Sequence, residues 1–506
     1  MRRLKIVLKI ILCIAIALCV IGYGFISVLI TPKKVVSKGQ LKELTSEEKL
    51  EDFRYMYNIL KDSFPFFKVE KDKTGFDWLA NKEKFEKQIE ATKSNEEFYY
   101  TLSGIVKMIQ NGHTGVVTPS RYYGMAQSYT SIMNHPWDTV LNQSGVKNKY
   151  ETWKSIVKES TDVLPVKIKY VEGKYIATED YDNIKKGYVL ETINEKQIDE
   201  YFKSNLDKYY LNYDYKRDKL YISSNLILAE KDKEYRAVFT NKEGVKITEK
   251  FTPIAYEQKS LTSTESSSCQ QKIIEPNKIA YLKVKSMSNI TLISDRTLIL
   301  EFFKSIKDYP YLILDIRGNG GGTDNYWEEN VVAPLIVKKT SSINAMAYRG
   351  SYIKTFMRGR GIITKPISGL PEQFKSRYTS EMESFITAPT SVSPENSVGF
   401  NGKIFLLVDD AVYSSSESFA AFCKGTGFAE IVGTNTGGDG IGIDPCVMAL
   451  PNSGLVVRFS LDMGINADNT VNEQAHTKPD IYVETTYNDF LEGKDTILNK
   501  AVELCK

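Results

Sequence analysis

A serine between a strand pattern and a helix pattern is the first candidate for chemistry in this chain. Residues 403–408 are predicted as a buried strand, and Ser414 opens the helix that follows. Its hydroxyl would lie at a helix N-terminus, where free N–H groups stabilise an anion, which is a suitable place for an acyl-transfer nucleophile. However, residues 414–417 (Ser-Ser-Ser-Glu) also form a capping box, so the serine could simply cap the helix.

A glycine-rich loop follows another predicted buried strand. Residues 311–316 form the strand pattern, and residues 318–322 read Gly-Asn-Gly-Gly-Gly. The loop lacks the lysine of a P-loop and the full spacing of the dinucleotide fingerprint. Its backbone could still approach a substrate closely and donate N–H groups to a developing oxyanion. This loop and Ser414 both come at the carboxyl ends of predicted parallel strands, where sites in α/β sheets form.

Three histidines are available as partners for a serine nucleophile. His113 follows a helix stop and precedes a strand-like segment, so it lies at a helix exit. His135 is interpreted as a surface residue in a polar loop, and His476 could be either close to the site or structural. Because many histidines do no chemistry, none of the three is identified by its local pattern alone.

The elements that must position these residues fall into four predicted segments. They are an N-terminal membrane anchor (1–34), a helical region carrying His113 (35–160), a small, mostly β module (163–258) and a C-terminal core (272–506). Two capping boxes, at residues 45–48 and 94–97, predict helices in the second segment. Strands and helices alternate in the last segment, which predicts an α/β fold with a largely parallel sheet covered by helices.

The N-terminus has the pattern of a membrane-spanning helix. An uncharged run over residues 10–30 follows four basic residues, Arg2, Arg3, Lys5 and Lys9, and it is long enough to cross a bilayer core of roughly 30 Å. The excess of basic residues before the run puts the first residues in the cytoplasm and everything after about Thr31 outside. A cleaved signal peptide is the alternative, and in both cases the body is exported. The expected location is a bacterial cell membrane, with the chain single-pass and its body extracytoplasmic.

Composition argues against several other classes of protein. Lys+Arg 66 against Asp+Glu 63 gives a net charge of +3, so nucleic acid is not an expected partner. Six cysteines show neither a CxxC nor a zinc-like spacing with the histidines, which predicts no metal site and no disulfide scaffold, although a Cys423–Cys446 bridge stays possible. No cofactor is predicted.

Several strings in the chain resemble the tail-specific proteases, a family that includes the C-terminal processing proteases and the catalytic module of tricorn protease. The strongest are YLILDIRGNGGG (311–322), GKIFLLVDDAVYSSSESFAAFCKGTGFAEIVGTNTGG (402–438) and NEQAHTKPDIYV (472–483). Residues 108–117 resemble the segment with the family's upstream histidine. Residues 184–201 resemble the carboxylate-loop end of a PDZ-like domain.

The resemblance implies a role for each matching residue. Ser414 would be the nucleophile, His113 the general base, and Glu473 the acid that holds the ring of His113 or its hydroxyl partner. The backbone N–H groups of Gly321 and Ser415 would form the oxyanion hole. The resemblance also implies a ClpP/crotonase-like protease core and a polypeptide substrate, captured by the PDZ-like module through strand addition.

Two positions depart from the family's pattern. Asp439 stands where the processing proteases have their catalytic lysine, so a Ser and Lys dyad is excluded there and the chain is tricorn-like in this respect. Gly112 stands where the tricorn-like branch has a serine just before its histidine.

The function implied is that of a membrane-anchored, extracytoplasmic serine-type endopeptidase. The alternative is a catalytically inactive peptide- or ligand-binding protein on the same fold. The resemblance is weak over residues 340–395 and leaves the role of residues 340–400 open, although an insertion beside the active cleft predicts a lid or substrate-gating loop. The oligomeric state is not indicated.

Overall fold

The computed structural model describes residues 36–130, 136–158, 160–257 and 267–506. The predicted anchor (10–30) and His135 lie outside the described residues. Within those four ranges, no helix is both long enough and apolar enough to cross a membrane.

The first described region is helical. Its helices are α1 (Ser46–Ser63), α2 (Phe67–Thr74), α3 (Lys82–Glu90), α4 (Asn95–Lys107), α5 (Pro119–Thr130), α6 (Pro136–Leu141) and α7 (Ser144–Ile156), with one short strand, β1 (Gly115–Val116). Both predicted N-caps are confirmed: the side chain of Thr45 accepts from the N–H of Glu48 at 3.2 Å, and that of Ser94 from the N–H of Glu97 at 3.1 Å. Each bond satisfies a donor that has no partner within its helix.

The middle region is a small, mostly β module. It contains β2 (Ser160–Val163), β3 (Ile168–Val171), β4 (Lys174–Ala177), β5 (Val189–Ile193), β6 (Lys196–Gln197), α8 (Ile198–Lys203), β7 (Asn212–Asp214), β8 (Lys219–Tyr221), β9 (Tyr235–Thr240), β10 (Lys246–Phe251) and β11 (Ile254–Glu257). Its main sheet has the order β10-β9-β5-β4-β3. Tyr175, Phe202 and Phe239 are buried in a hydrophobic cluster that belongs to this module.

The C-terminal region carries the large sheet. Its strands are β12 (Cys269–Glu275), β13 (Ile279–Val284), β14 (Tyr311–Asp315), β15 (Thr340–Tyr348), β16 (Lys365–Pro366), β17 (Ser384–Val392), β18 (Lys403–Val408), β19 (Glu430–Gly433), β20 (Cys446–Ala449), β21 (Val456–Phe459), β22 (Met463–Ile465) and β23 (Ile481–Tyr482). Its helices are α9 (Leu292–Ser305), α10 (Asp324–Trp327), α11 (Ser351–Gly359), α12 (Ser415–Thr426), α13 (Asn472–Ala475), α14 (Tyr487–Glu492) and α15 (Thr496–Leu504).

The main sheet has the order β12-β13-β14-β18-β19-β23 and is parallel from β13 onwards. Leu312 and Leu314 belong to the hydrophobic cluster that includes α9 and α12, whereas Ile313 belongs to the cluster that includes α15. Successive side chains of a strand point to opposite faces, so helices bury both faces of the sheet. The predicted α/β fold with a largely parallel sheet is confirmed.

Residues 340–400 are folded rather than a long irregular loop. They contribute β15, β16 and β17 to a second sheet of order β16-β17-β15-β22, in which β15 and β17 run antiparallel and β22 comes from later in the chain. Helix α11 buries Ile353, Phe356 and Met357. The gating role assigned to this segment stays a prediction.

A third, smaller sheet joins the helical region to the C-terminal region. Strand β1 pairs with β21, which pairs in turn with β20. Buried Asp52 of α1 accepts the N–H groups of Asn452 at 2.8 Å and Ser453 at 2.7 Å, in the turn between β20 and β21. One hydrophobic cluster contains residues of α1, α4, β20 and β21. The helical region therefore packs as part of the C-terminal region, which fixes the chain near His113.

Candidate active site

Ser414 lies in a strained turn between β18 and α12. Its backbone has φ 59° and ψ −127°, a region that residues with a side chain rarely occupy and that costs roughly 1–3 kcal/mol. The side chain makes no capping hydrogen bond to the helix, so the capping-box interpretation is wrong. Glu417, the other end of that box, is buried and accepts from Asn472 and Thr477 instead. The hydroxyl of Ser414 is thus free to turn away from α12.

The imidazole of His113 faces this hydroxyl. Its Nε2 is 3.0 Å from Ser414 Oγ, although the two residues are 301 positions apart. Its ring packs against Tyr413, with ring centroids 4.8 Å apart. The turn after α4 is held by Asn111, whose Oδ1 accepts the N–H of His113 at 3.1 Å and the hydroxyl of Thr114 at 2.8 Å. A backbone turn, not a helix, therefore sets the position of the imidazole.

Asp439 holds the other ring nitrogen of His113. Its Oδ2 is 2.8 Å from Nδ1 of the imidazole. The same oxygen accepts from Ser460 Oγ at 2.6 Å and from Asn111 Nδ2 at 3.1 Å, and Tyr413 Oη lies 3.4 Å away. A carboxylate that orients a histidine hydrogen-bonded to a serine is the arrangement that activates a serine nucleophile.

The protonation states of His113 and Asp439 suit the activation of a serine nucleophile. Burial lowers the pKa of His113 below its usual 6.5, although the Asp439 charge opposes the shift, so the imidazole is neutral at neutral pH. Burial acts to raise the pKa of Asp439, but His113 and the hydrogen bonds from Ser460 and Asn111 outweigh it and hold this pKa below its usual value. The ring can therefore accept a proton, and a fixed anion is present to stabilise the cation that forms.

Glu473 does not contact His113. Its Oε1 accepts from Asn111 Nδ2 at 3.0 Å, so Asn111 stands between it and the imidazole. Burial raises the pKa of Glu473 well above its usual value, and the charges of Asp439 and Glu70 raise it further. The resemblance implied that Glu473 would lie beside the ring, but Asp439 occupies that position. The turn that carries Asp439 lies against Ser414, whose N–H donates to Gly438 O at 3.3 Å.

Two family models match the chain, and one of them covers Ser414, Asp439 and Glu473. Residues 278–483 match peptidase family S41, and residues 45–107 match the tricorn protease C1 domain. The chain carries an S41 peptidase core. The predicted likeness to tail-specific proteases is confirmed, and the protein is a serine-type peptidase. No curated protein matches the chain significantly.

Solved structures agree with the S41 core at the level of the fold. Mature CPAF complexed with lactacystin superposes with a TM-score of 0.59 at 12% identity, covering 91% of this chain and 98% of that chain. Mature CPAF alone gives 0.59 at 11% identity, covering 91% and 97%. The photosystem II D1 C-terminal processing protease gives 0.41 at 14% identity, covering 86% and 93%.

Because Gly112 has no side chain, the ring of Tyr413 can occupy the space beside it. A Cβ built at Gly112 would lie 2.9 Å from both Cζ and Oη of Tyr413, closer than van der Waals contact allows. Tyr413 would have to move before a serine could occupy position 112. The hydroxyl of Ser460 and the amide of Asn111 instead donate to Asp439. Asp439 Oδ2 is therefore hydrogen-bonded although position 112 carries no side chain.

The two predicted oxyanion donors, Gly321 and Ser415, differ in whether their N–H groups already have an acceptor. Gly321 has φ +101°, and a Cβ there would lie 2.8 Å from Ser414 Cβ and 2.9 Å from Ser415 N, so only glycine lets the loop approach the nucleophile this closely. Its N–H, however, donates to Asn319 Oδ1 at 2.9 Å. The N–H of Ser415, at the start of α12, has no acceptor among the described residues. Ser415 thus offers a free donor, and Gly321 would have to release Asn319 to offer a second.

His476 is buried beside the turn that carries Asp439. Its Nδ1 is 2.6 Å from the backbone oxygen of Thr436, and burial lowers its pKa to about 4. A Cβ on Gly438 would lie 2.8 Å from its ring, so His476 packs against the turn that carries Asp439. Within the described ranges, no group of three or more His, Cys, Asp or Glu side chains could hold a metal ion.

Sequence reasoning missed Asp439, Asn111 and Ser460 as parts of the site. In the sequence, Asp439 stands out only because it occupies the position of the catalytic lysine of the processing proteases. The available signal was its position in the run Thr-Gly-Gly-Asp-Gly after β19, since loops that follow neighbouring parallel strands meet at one edge of a sheet. No local sequence pattern marks Asn111 or Ser460 as a site residue, because their shared partner, Asp439, lies 328 positions from Asn111 and 21 positions from Ser460.

We predict that Asp439→Asn slows the reaction of Ser414 with a fluorophosphonate by about 10³–10⁴-fold, because an amide cannot hold Nδ1–H or stabilise the imidazolium. Glu473→Gln keeps a group of the same shape next to Asn111 and should cost less than about tenfold. Rates of covalent labelling of the purified variants measure both effects. A larger loss for Glu473→Gln than for Asp439→Asn would contradict the assignment of Asp439.

Proposed function

We propose that the protein is an extracytoplasmic, membrane-anchored serine endopeptidase, with Ser414 as nucleophile, His113 as general base and Asp439 as the group that orients the base. The single observation that carries this proposal is the continuous chain of contacts from Ser414 Oγ through the imidazole to Asp439 Oδ2, at 3.0 and 2.8 Å. The match to peptidase family S41 supports the reaction class, and these two contacts support the proposed roles.

The mechanism follows from the protonation states. Neutral Nε2 of His113 takes the proton of Ser414 as Oγ attacks a peptide carbonyl, and Asp439 stabilises the imidazolium. The developing oxyanion is bound by the N–H of Ser415, and by that of Gly321 once it leaves Asn319. The imidazolium then protonates the leaving amine. Water, activated by the same nitrogen, hydrolyses the acyl-enzyme.

The β module is proposed to present the substrate. The sheet order leaves β3 and β10 at its edges, and an extended peptide binds such an edge by adding a strand. The module reaches the active site directly, since Tyr210 Oη donates to Thr114 O at 3.1 Å. It also docks on the core, where Arg217 makes a bidentate pair with Glu484 at 2.8 and 2.9 Å. A captured chain would therefore lie close to His113.

We predict that a fluorophosphonate probe labels the wild-type protein on Ser414. Ser414→Ala should not react at all, and His113→Ala should react at least about 10³-fold more slowly, because the hydroxyl then has no base. Gel fluorescence and mass spectrometry of the labelled peptide measure both. Labelling of Ser414→Ala would refute the nucleophile, and an unreactive wild type would favour a peptide-binding protein without catalysis.

The pH dependence of labelling should report the base. Only neutral imidazole can accept the proton, and burial lowers the pKa of His113, so the rate should rise with pH to a plateau with an apparent pKa below 6.5. Asp439 is ionised throughout this range because its pKa is held low. Rates measured from pH 4.5 to pH 8.5 test this. A limb centred above about pH 7.5 would point to another base.

The proposed anchor can be tested on the full chain in bacterial cells. We predict that the protein stays in the membrane pellet after an alkaline carbonate wash and keeps residues 1–34, because the apolar run at 10–30 is long enough to span the bilayer. Protease added outside spheroplasts should digest the body. A soluble chain whose N-terminus, read by mass spectrometry, begins after residue 30 would show a cleaved signal peptide instead.

A further inference from the structure

The turn that carries His113 contains a glutamine in a backbone conformation that is unusual for this residue type. Gln110 lies just after α4 and has φ +67°, in the left-handed region that glycine, asparagine and aspartate occupy much more readily than glutamine. A residue with a long side chain stays in this region only where its surroundings hold it there, and such positions are concentrated at functional sites. A glutamine here therefore points to a requirement for its side chain.

The buried carboxamide of Gln110 binds the β module. Its Nε2 donates to the backbone oxygens of Leu206 at 2.9 Å and Tyr209 at 2.8 Å, and its Oε1 accepts the N–H of Leu211 at 2.9 Å. These three backbone groups lie between α8 and β7, outside any helix or strand, so the carboxamide takes the place of a backbone partner. Two carbonyl oxygens and one N–H match the two donors and the acceptor that a carboxamide offers.

The same segment of the β module, residues 206–211, also contacts the chain after the base. Tyr210 Oη donates to the backbone oxygen of Thr114 at 3.1 Å, and Thr114 directly follows His113. The segment thus binds the turn both before and after the residue that carries the imidazole. Attachment on both sides restricts the backbone of His113 more than attachment on one side would, which is how supporting hydrogen bonds hold a site residue in place.

The backbone of Gln110 has a contact of its own with the helical region. Its carbonyl oxygen lies 3.5 Å from Nζ of Lys73 in α2, and this ammonium group pairs with Glu70 at 2.5 Å. Both the side chain and the backbone of Gln110 are therefore bound, which explains how the left-handed conformation is maintained.

We propose that Gln110 is a positioning residue for the general base: its carboxamide ties the turn of His113 to residues 206–211 and so keeps the imidazole at reacting distance from Ser414. That distance is 3.0 Å between Nε2 and Oγ, and a displacement of about 1 Å can slow a reaction by about 10²-fold. The carboxamide makes its hydrogen bonds to backbone groups, so Gln110 acts on the base through the short stretch of chain between them. This inference rests on the proposed endopeptidase activity, in which His113 is the base.

Two substitutions in the full-length protein separate the carboxamide from the backbone conformation. Gln110→Met keeps the length of the side chain and removes its hydrogen-bonding groups, whereas Gln110→Gly also relieves the left-handed backbone. Each should slow fluorophosphonate labelling of Ser414 by about 10–100-fold, because the imidazole is no longer held. Gln143→Met is the matched control, since Gln143 Oε1 accepts the N–H of Val36 at 3.1 Å instead, and its rate should stay within about twofold of the wild type.

A double-mutant cycle distinguishes positioning from a role in folding alone. In a His113→Ala background, Gln110→Met should slow labelling by less than about twofold further, because no imidazole is left to misplace. A residue that only supports the fold would slow labelling by the same factor in both backgrounds. The midpoint of the pH profile should also move in Gln110→Met, because the pKa of His113 depends on its burial and on Asp439, whereas loss of folded protein would lower the plateau alone.

The two proposals fail in different ways. If the wild type is not labelled on Ser414, the endopeptidase proposal fails. If it is labelled but Gln110→Met reacts within about twofold of the wild type, loses no more than Gln143→Met does, or loses the same factor with and without His113, the positioning role is refuted while the nucleophile stands. Thermal unfolding followed by circular dichroism identifies a variant that does not fold. If that variant is Gln110→Met, Gln110→Gly decides by the same criteria, and if neither folds, the carboxamide serves the stability of the chain and the positioning role is refuted.

Discussion

The hydrogen bond between His113 and Ser414 joins two turns that are 301 positions apart in the chain. Ser414 sits at a strained backbone position, and His113 follows the end of α4. Their alignment depends on Asn111, which is fully buried. Its amide nitrogen donates to Asp439 and Glu473, and its oxygen accepts from the backbone of His113. One side chain thus joins the base, its orienting carboxylate and a second carboxylate into one network, as preorganised catalysis requires.

Hydrophobic packing makes that network possible. The helical region buries its apolar faces in the same cluster as β20 and β21, and β1 extends this small sheet by one strand. Asp52 fixes the β20–β21 turn by accepting two backbone N–H groups. The stretch that ends β21 and carries Ser460 is therefore held against the turn that carries His113, although Asn111 of that turn and Ser460 are 349 positions apart.

Electrostatics distinguishes the carboxylates around the base. Asp439 has several donors, so it keeps its charge despite burial. Glu473 and Glu417 have fewer donors for their buried oxygens; burial raises the pKa of Glu417 to about 7 and that of Glu473 well above its usual range. Asp439 is thus the fixed anion beside the imidazole. This difference in donors, rather than the kind of acid, decides which carboxylate supports the histidine.

The sequence by itself determined the fold class, the two capped helices, the S41 likeness and the pairing of Ser414 with His113. The fold class and the capped helices follow from apolar periodicity and local turn chemistry, whereas the pairing of Ser414 with His113 follows only from the resemblance of several strings to a known family. Only the tertiary structure decided that Asp439 contacts the imidazole, that Glu473 binds Asn111 instead and that Tyr413 fills the space beside Gly112. Each of these depends on which loops meet at the sheet edge and how many donors reach each buried oxygen, and no local pattern in the chain encodes those contacts.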